Sequence, residues 1–450
     1  MEKQYKNKKK RLAIYYLAHD GITSHYAGIG TYTKSYTDNF PQIIELLEKN
    51  QVETTLYLLT PKYKKTFYGY NHKIENNNLK LIERYGGKLI EVDNGTNGLD
   101  SYGTIKNWDK CSKESSNVIS KYLGLYDTNL IIAVDTPFLR VGEFLNKINT
   151  QINYKVVLSP QSTEKIHNSN IQGRYEWEKS IFQNANNSIN IFVSYSSLYI
   201  KKHLLSEYKV NNRKLIPSMS GLSFSSHRYK KYTQDQIKNE LTKYGIPTNR
   251  FLVFTVGRLE PYKGFIETIK LFKQIDKRLN PYLIMLGFSY LKNNPLIKEL
   301  EKIKRDDGID GKFIFKLDLI LPTLIWQWKN SRISAHISQF EPFGLAPTEA
   351  RLLAKDNGPV VVVSNQGGLP EQISNNKDGF IVKYGSIKSY KKVVNGIFKM
   401  NGNQLTKLRK TAYQTVIKKY NSYENIIVLL SNLDKDIEKV HKLKNKRRKD

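Results

Sequence analysis

Short apolar runs rich in β-branched and aromatic residues recur along the whole chain, and helical stretches separate them. Because a run of about four to eight such residues is typical of a buried strand, the alternation predicts parallel sheets covered by helices. Six runs lie in the first half, at residues 11–18, 54–60, 88–92, 129–135, 155–159 and 189–194. Six more lie in the second half, at residues 251–256, 282–287, 312–316, 333–338, 359–364 and 380–383. The predicted fold class is therefore α/β, with a doubly wound, Rossmann-like unit in each half.

The length of the chain also favours two units. A chain of 450 residues exceeds the roughly 250 to 300 residues at which single hydrophobic cores stop growing. A polar stretch at residues 218–250 separates the two sets of runs and holds one helical segment, so we place the boundary there. The predicted domains are residues 1–222, residues 223–425, and a terminal helix with a basic tail at residues 426–450 that can pack back on the first domain.

The chain is strongly basic, with a formal net charge of +31 from 72 Lys and Arg against 41 Asp and Glu. Such a field favours phosphate-bearing ligands, nucleic acid or an anionic membrane, but a solvated lysine-rich surface explains the charge equally well. The one cysteine, Cys111, cannot form an internal disulfide, which favours a reducing compartment. Because no run approaches the roughly 18 apolar residues of a membrane span, we predict a cytoplasmic protein whose membrane contact, if any, is peripheral.

The first chemical motif is the turn GRLEPYKG at residues 257–264, directly after an apolar run. Ligands of open α/β sheets gather where strands end. Gly257 permits a tight turn, and Arg258 and Lys263 can converge on a diphosphate, the arginine through a bidentate fork and the lysine as a point charge. Taken alone, this motif is equally compatible with a solvated basic turn.

The second motif is SQFEPFGLAPTEA, which begins at Ser338 after another run. A helix is predicted at residues 346–353, so three amides should point out of its amino end and favour phosphate. These amides belong to Phe343, Gly344 and Leu345. Glu341 precedes the turn and Glu349 lies inside the helix, so the two carboxylates can accept hydrogen bonds from opposite ends of one elongated, hydroxyl-bearing ligand. Spacing alone would more often place such glutamates in solvent.

The third motif is SNQGGLPEQI at residues 364–373, again after a run. Gly367 and Gly368 allow the backbone to approach a ligand closely, and Pro370 is expected to start a following helix. The three motifs occur in this order at the spacing of successive βα units. Together they are more specific than any one of them.

These residues resemble the large retaining glycosyltransferase family 4, whose second domain carries an E-x7-E signature. Its fold, GT-B, has two Rossmann-like domains facing across a cleft. The resemblance is strong over roughly residues 250–385 and loose in the first half. It implies an enzyme whose nucleotide-sugar donor binds to the carboxyl-terminal half.

The resemblance also implies a role for each motif residue. Glu341 contacts hydroxyls of the transferred sugar, and Glu349 contacts the ribose of the nucleotide. Arg258 and Lys263 hold the diphosphate and neutralise the charge that builds as it leaves, and the amides of Gly344 and Leu345 assist. The implied catalytic residues are Arg258, Lys263 and Glu341, and no protein nucleophile, cofactor or metal is expected. The donor-binding set is Gly28, Gly30, Gly257, Arg258, Lys263, Glu341, Phe343, Gly344, Leu345 and Glu349.

A glycine-containing segment, HDGITSHYAGIGTYT, begins at His19 after the first run. Its Gly28 and Gly30 resemble a loop that family members place near the donor phosphate and the acceptor, although a flexible surface loop explains the pattern equally well. The chain departs from the family at residues 160–162, which read Pro, Gln and Ser where many members carry a histidine. The sequence leaves open whether His167 replaces that histidine, so we assign no acceptor-side residue.

Two further candidates have simpler interpretations. The Asp-x-Asp formed by Asp434 and Asp436 lies in a charged terminal helix and is predicted to be a solvated face rather than a metal site. His336 lies in an apolar run and is predicted to be a core histidine rather than a ligand.

The favoured function is a retaining glycosyltransferase that moves a hexose onto an acceptor hydroxyl, with glucose and a uridine diphosphate donor as the expected pair. The alternative is a basic nucleic-acid-binding protein, suggested by the charge and by 30 tyrosines, although no groove-reading module or zinc site is recognisable. The two combine if the acceptor is a nucleic acid or nucleoside, and a third candidate is an enzyme at an anionic membrane that modifies a lipid. The acceptor and the oligomeric state are left open.

Overall fold

The structure, a computed structural model, describes residues 9–26, 28–148, 152–167, 169–289 and 293–447. The chain forms two compact units. The first consists of Met1–Ser223 together with Ser422–Asp450, and the second of Phe224–Asn421. The last two helices of the chain therefore belong to the same unit as its first strand.

The first unit contains a seven-stranded parallel sheet of order β3-β2-β1-β4-β5-β6-β7. Its strands are β1 (Lys10–Leu17), β2 (Val52–Pro61), β3 (Leu89–Val92), β4 (Thr128–Val134), β5 (Tyr154–Ser159), β6 (Ile191–Tyr195) and β7 (Leu215–Pro217). The helices before β7 are α1 (Gly28–Thr37), α2 (Phe40–Glu48), α3 (His72–Arg84), α4 (Ile105–Ser120), α5 (Val141–Ile148), α6 (Glu164–His167), α7 (Arg174–Asn187) and α8 (Leu198–Ser206).

Strand β1 shows why this sheet is covered on both faces. Its side chains alternate between two hydrophobic clusters, one receiving Ala13, Tyr15 and Leu17, the other receiving residues 12, 14 and 16. All six of these side chains are fully buried. Successive residues of a strand point to opposite faces, so an unbroken apolar run requires helices on both sides.

The second unit contains a six-stranded parallel sheet of order β10-β9-β8-β11-β12-β13. Its strands are β8 (Phe251–Arg258), β9 (Pro281–Phe288), β10 (Gly311–Ile314), β11 (Ser331–His336), β12 (Val360–Ser364) and β13 (Phe380–Val382). Its helices are α9 (Gln234–Lys243), α10 (Phe265–Phe272), α11 (Pro295–Asp306), α12 (Leu321–Gln327), α13 (Leu345–Leu353), α14 (Ile387–Lys399) and α15 (Gly402–Lys419). The predicted α/β class with two doubly wound sheets is confirmed.

The chain returns to the first unit through α16 (Ser422–Ser431) and α17 (Lys435–Arg447). Ile426 and Leu430 join the hydrophobic cluster beneath β1, and Asn39 donates a 2.7 Å hydrogen bond to Ser422 Oγ. Among the described residues, no helix is long and apolar enough to cross a membrane.

The predicted solvated face at Asp434 and Asp436 is wrong for Asp434. This side chain is only 8 % exposed and accepts a 2.6 Å hydrogen bond from Lys10 Nζ. It also accepts from the amides of Asp436 and Ile437 at the start of α17, so it caps that helix. Asp436 is 43 % exposed, as expected of a surface residue.

His336 matches its predicted role as a core histidine. It is the last residue of β11, is buried, and lies 2.8 Å from Ser334 Oγ. Burial lowers the pKa of its imidazole to about 3, so the ring is neutral at physiological pH.

Candidate functional site

Three strands of the second unit end close together in the sheet. β8, β11 and β12 are neighbours and all run parallel, so their carboxyl ends lie along one edge. Strand order reverses between β8 and β11, because the chain builds outward from β8 through β9 to β10 and then resumes at β11 on the other side. Ligands of open α/β sheets bind at such a reversal. The three predicted motifs follow β8, β11 and β12, so all three lie at or next to this reversal.

The GRLEPYKG turn closes back onto the end of β11. Arg258 is the last residue of β8, and Pro261–Lys263 forms a 3₁₀ turn. Gly264 follows with φ 74°, and a Cβ added there would lie 1.8 Å from the backbone oxygen of Ile337. The amide of Gln339 donates to Tyr262 O over 2.7 Å. Glycine is therefore required at 264 both for its left-handed conformation and for the close contact of two backbones.

We expect Gly264→Ala to lower the free energy of unfolding by about 3 kcal/mol or more, because the left-handed backbone and the clash with Ile337 both oppose a side chain. Gly385 is the matched control, since it has φ 73° but nothing within 4 Å of an added Cβ. Gly385→Ala should therefore cost only about 1 kcal/mol. Urea unfolding of the two variants measures the difference, and equal losses would show that the turn does not press against β11.

The turn brings Lys263 to the predicted sugar-binding glutamate. Lys263 Nζ lies 2.6 Å from Glu341 Oε2, and both side chains are largely buried. Arg258 lies beside them in the same turn, where its Nη2 donates to Tyr262 OH over 2.9 Å and its side chain is 31 % exposed. Glu260 Oε1 lies 3.9 Å from Arg258 Nη1, so two cations and two carboxylates lie at the end of β8 and β11.

The loop before α13 presents unused backbone donors. Gly344 has φ 81° and immediately precedes the helix, which begins at Leu345, one residue before its predicted start. Among the described residues, the amides of Phe343, Gly344 and Leu345 meet no hydrogen-bond acceptor. The first amides of a helix carry partial positive charge and bind anions.

Gln372 fixes the orientation of this loop. This role of Gln372 could not be inferred from the sequence. Its Nε2 donates to the carbonyl oxygens of Phe343 and Gly344, the latter over 2.9 Å, and its Oε1 accepts from Thr348 Oγ1 over 2.6 Å. A trans peptide points its C=O and N–H in opposite directions. The amides of Gly344 and Leu345 therefore face away from Gln372 and stay available.

The glycine pair of the third motif supports the same loop rather than lying open to a ligand. A Cβ on Gly367 would lie 2.2 Å from Glu341 O, and one on Gly368 would lie 2.2 Å from Pro342 O. Gly368 N also donates to Glu341 O over 2.8 Å. The predicted close approach is therefore to protein backbone, and Pro370 begins a 3₁₀ turn rather than a longer helix.

Glu349 lies inside α13, and its two side-chain partners could not be inferred from the sequence. It is 3 % exposed, and its Oε1 lies 3.2 Å from Arg228 Nη2 and 3.1 Å from Tyr229 OH. Burial alone would lower the pKa of the Arg228 guanidinium, but Glu349 and Tyr229 together outweigh burial and raise that pKa. Each predicted carboxylate is therefore already paired with a cation, Glu341 with Lys263 and Glu349 with Arg228.

The glycine segment of the first unit is ordered rather than a loose loop. Gly28 is the first residue of α1, and the amide of Gly30 donates to Asp20 Oδ2 over 2.9 Å. A Cβ on Gly30 would lie 2.4 Å from His25, whereas nothing lies within 4 Å of one on Gly28. The role of both glycines in donor binding stays a prediction.

A histidine and a carboxylate meet where strand order reverses in the first sheet, between β1 and β4. His19 Nε2 lies 3.0 Å from Asp135 Oδ2, and its Nδ1 lies 3.0 Å from Tyr26 OH. Burial opposes ionisation of Asp135, but His19, Arg174 and the amide of Thr136 together outweigh burial and lower the pKa of this carboxyl. Asp135 also has φ 66°, a conformation that costs a residue with a side chain about 1 to 3 kcal/mol. His167, which the sequence left open as a replacement for the histidine of the family, lies in α6.

Within the described part of the chain, no group of three or more His, Cys, Asp or Glu side chains is placed to hold a metal ion. The expectation that no metal is required stays a prediction.

Sequence comparisons match the second unit to glycosyltransferases. Residues 236–415 match the family of group 1 glycosyl transferases. The chain is 23 % identical over 171 residues to an uncharacterized glycosyltransferase, YqgM, of Bacillus subtilis. It is 24 % identical over 180 residues to a trehalose synthase of Thermococcus litoralis. These alignments cover 38 % and 39 % of the chain and 45 % and 42 % of the relatives, so the chain matches less than half the length of either.

Solved structures match nearly the whole chain at low identity. Sucrose-phosphate synthase from Thermosynechococcus elongatus superposes with a TM-score of 0.67 at 16 % identity, covering 94 % of this chain and 97 % of that one. Anabaena Alr3699/HepE in complex with UDP and glucose superposes with a TM-score of 0.63 at 16 % identity, covering 93 % and 97 %. Residues 236–415 of the chain therefore match the group 1 glycosyl transferases, and the fold of its two units is that of GT-B glycosyltransferases.

Proposed function

We propose that the chain is a retaining glycosyltransferase that moves glucose from UDP-glucose to an acceptor hydroxyl. The observation that carries the proposal is the set of groups at the end of β8 and β11. There the cations of Arg258 and Lys263 and the sugar-binding candidate Glu341 accompany the unused amides of Gly344 and Leu345. The choice of donor is supported by the Anabaena relative, which was solved with UDP and glucose.

Binding of the diphosphate changes the partners of Lys263. Lys263 is now paired with Glu341, and a diphosphate at the amino end of α13 offers it a stronger anionic partner. Glu341 is then released to accept hydrogen bonds from hydroxyls of the glucose ring. In the same arrangement Glu349 accepts from the ribose hydroxyls, sharing its carboxylate with Arg228 and Tyr229.

The transfer step relies on charge stabilisation. The bond between C1 of glucose and the diphosphate oxygen breaks, and the departing UDP gains one negative charge. Lys263, Arg258 and the two amides lie where they stabilise that charge, which lowers the barrier. The acceptor oxygen bonds to C1 from the same face, and its proton passes to the departing phosphate, so the step needs no protein base.

A thermal-stability panel tests the donor. A ligand that binds only the folded protein raises its stability by mass action. We expect UDP-glucose at about 100 times its dissociation constant to raise the melting temperature by about 3–5 °C, and ADP-glucose, GDP-glucose and UDP-galactose to raise it less. A larger shift with another nucleotide sugar would reassign the donor, and no shift with any of them would contradict the proposal.

A further inference from the structure

The second unit contains a cavity of about 220 Å³ whose lining residues exclude Lys263, Glu341 and Gly344 of the strand-end site. Four parts of the unit form its wall, namely the segment before α9, the end of α12, the end of α13 and the middle of α15. Binding cavities for drug-sized ligands are about 300 to 1,000 Å³. This cavity is slightly smaller and therefore suits a compact ligand.

Aromatic rings make up much of the wall, contributed by Phe224, Tyr229, Tyr232 and Tyr413. Among the residues that the structure describes, the hydroxyls of Tyr232 and Tyr413 and the amide of Asn357 make no hydrogen bond, although all three residues line the cavity. By contrast, Gln327 of the wall is used internally, since it binds the backbone of Tyr232 and Lys230. The cavity therefore combines flat apolar faces with three hydrogen-bonding groups that have no partner.

The lysines at the cavity each have a partner, and Lys230 Nζ lies 5.5 Å from the ring centroid of Tyr232. Lys231 lies 4.0 Å from Asp356, and both are well exposed. Lys355 Nζ lies 4.5 Å above the ring of Tyr413, where the face of the ring attracts the cation. The charged side chains that line the wall, Lys231, Lys355 and Asp356, carry a net charge of +1, and both lysines already contact other side chains of the wall.

A neutral saccharide fits this wall best. The C–H faces of a sugar ring pack on aromatic rings, and its hydroxyls donate to and accept from tyrosine hydroxyls and amides. A purely apolar ligand would leave the three polar groups unpaired, and a phosphorylated one would lack a matching cluster of cations.

The cavity is connected to the predicted ribose-binding glutamate. Tyr229 lines the cavity, and its hydroxyl lies 3.1 Å from Glu349 Oε1. Leu352 and Leu353 of the wall lie on α13, the helix that carries Glu349. A ligand that moves the Tyr229 ring therefore changes the hydrogen bonding of Glu349 and, through it, donor affinity.

We propose that this cavity is a second, non-catalytic binding site for a neutral mono- or disaccharide, coupled to donor binding through Tyr229 and Glu349. The coupling rests on the proposed role of Glu349, whereas occupancy of the cavity does not.

Ligand-detected NMR with glucose and maltose on the full chain tests occupancy. We expect saturation transfer to one of these sugars, and an affinity lowered about fivefold or more in Tyr413→Ala, since loss of a ring contact costs about 1 kcal/mol. Asn357→Ala changes an exposed residue and should weaken binding without affecting the fold. Tyr282→Ala is the matched control, because Tyr282 is a half-buried tyrosine of the same unit that lies outside the cavity wall. No binding of either sugar, or equal binding by Tyr413→Ala, Asn357→Ala and Tyr282→Ala, would overturn the proposal.

Titration of UDP-glucose with and without the bound sugar tests the coupling. We expect its dissociation constant to change about fivefold or more in the wild type and to stay constant in Tyr229→Phe, which keeps the ring and loses only the hydroxyl. An equal change in Tyr229→Phe would overturn the proposed route. If UDP-glucose binds and neither sugar does, only the saccharide site is wrong. If a sugar binds the cavity and UDP-glucose does not bind at all, the proposed donor and the coupling both fail.

Discussion

Replacing Lys263 with methionine is expected to lower kcat/KM for sugar transfer about 100- to 1,000-fold, measured as UDP release from UDP-glucose. Methionine keeps most of the volume of the side chain but removes the charge that, in the proposed function, stabilises the departing diphosphate. Loss of one preorganised group that stabilises transition-state charge typically has an effect of this size. Because Lys263 also binds Glu341 over 2.6 Å, the substitution also leaves that carboxylate without its cation.

Two controls separate the role of this charge from a loss of structure. Lys270→Met removes another lysine of the same unit that is paired with a glutamate, since Lys270 Nζ lies 2.6 Å from Glu267 Oε1. It should leave the rate within about twofold, because Lys270 is half-exposed and lies on α10, away from Glu341. Lys263→Arg keeps the charge and should recover part of the loss. Equal rates for Lys263→Met and Lys270→Met would remove Lys263 from the mechanism.

Replacing Glu349 with alanine is expected to lower the free energy of unfolding by about 3 kcal/mol and to weaken UDP-glucose binding at least about tenfold. The stability loss follows from Arg228, whose largely buried guanidinium would have no anionic partner. The affinity loss follows from the proposed role of Glu349 as an acceptor for the ribose hydroxyls. Because of the ion pair with Arg228, the substitution changes stability as well as donor affinity.

Glu349→Gln distinguishes the two effects. Glutamine keeps an oxygen that can accept from Arg228 and Tyr229, so it should retain more of the stability than alanine does. It loses the charge and should still weaken UDP-glucose binding. Urea unfolding and calorimetric titration of both variants provide the comparison, and unchanged donor affinity in both would contradict the ribose role of Glu349.

The alternation of apolar runs predicted the two sheets because central strands such as β1 and β12 are apolar along most of their length and are buried on both faces. The exception is β7, whose three residues end in a proline and give too short a pattern to be distinguished from a loop. The run at residues 333–338 was placed two residues too late, because β11 begins at Ser331 and ends at His336. The apolar Ile337 and the small Ser338 are compatible with a strand, so the pattern did not mark its end. In the structure both residues belong to the turn that contacts Gly264.

The sequence predicted those residues of the candidate site that belong to a motif directly after a strand. Lys263 and Glu341 meet because parallel neighbouring strands bring their carboxyl ends to one edge, which a motif after each strand indicates. Gln372, Arg228 and Asp135 could not be found in this way. Gln372 binds Phe343, which lies 29 positions away. Tyr229, the neighbour of Arg228, binds Glu349 over a separation of 120 positions. Asp135 binds His19 over a separation of 116 positions. No local pattern specifies such contacts, which depend on how distant segments pack.

Calorimetric titration of UDP-glucose into the wild type and Lys263→Met tests the central claim most directly, because it measures donor binding without needing the acceptor. We expect saturable one-to-one binding by the wild type and an affinity at least about tenfold lower in Lys263→Met, since a hydrogen bond to a charged group contributes about 1.5 to 3 kcal/mol. Absence of binding to the wild type, or the same affinity in both proteins, would contradict the assignment of the strand-end site as the donor site.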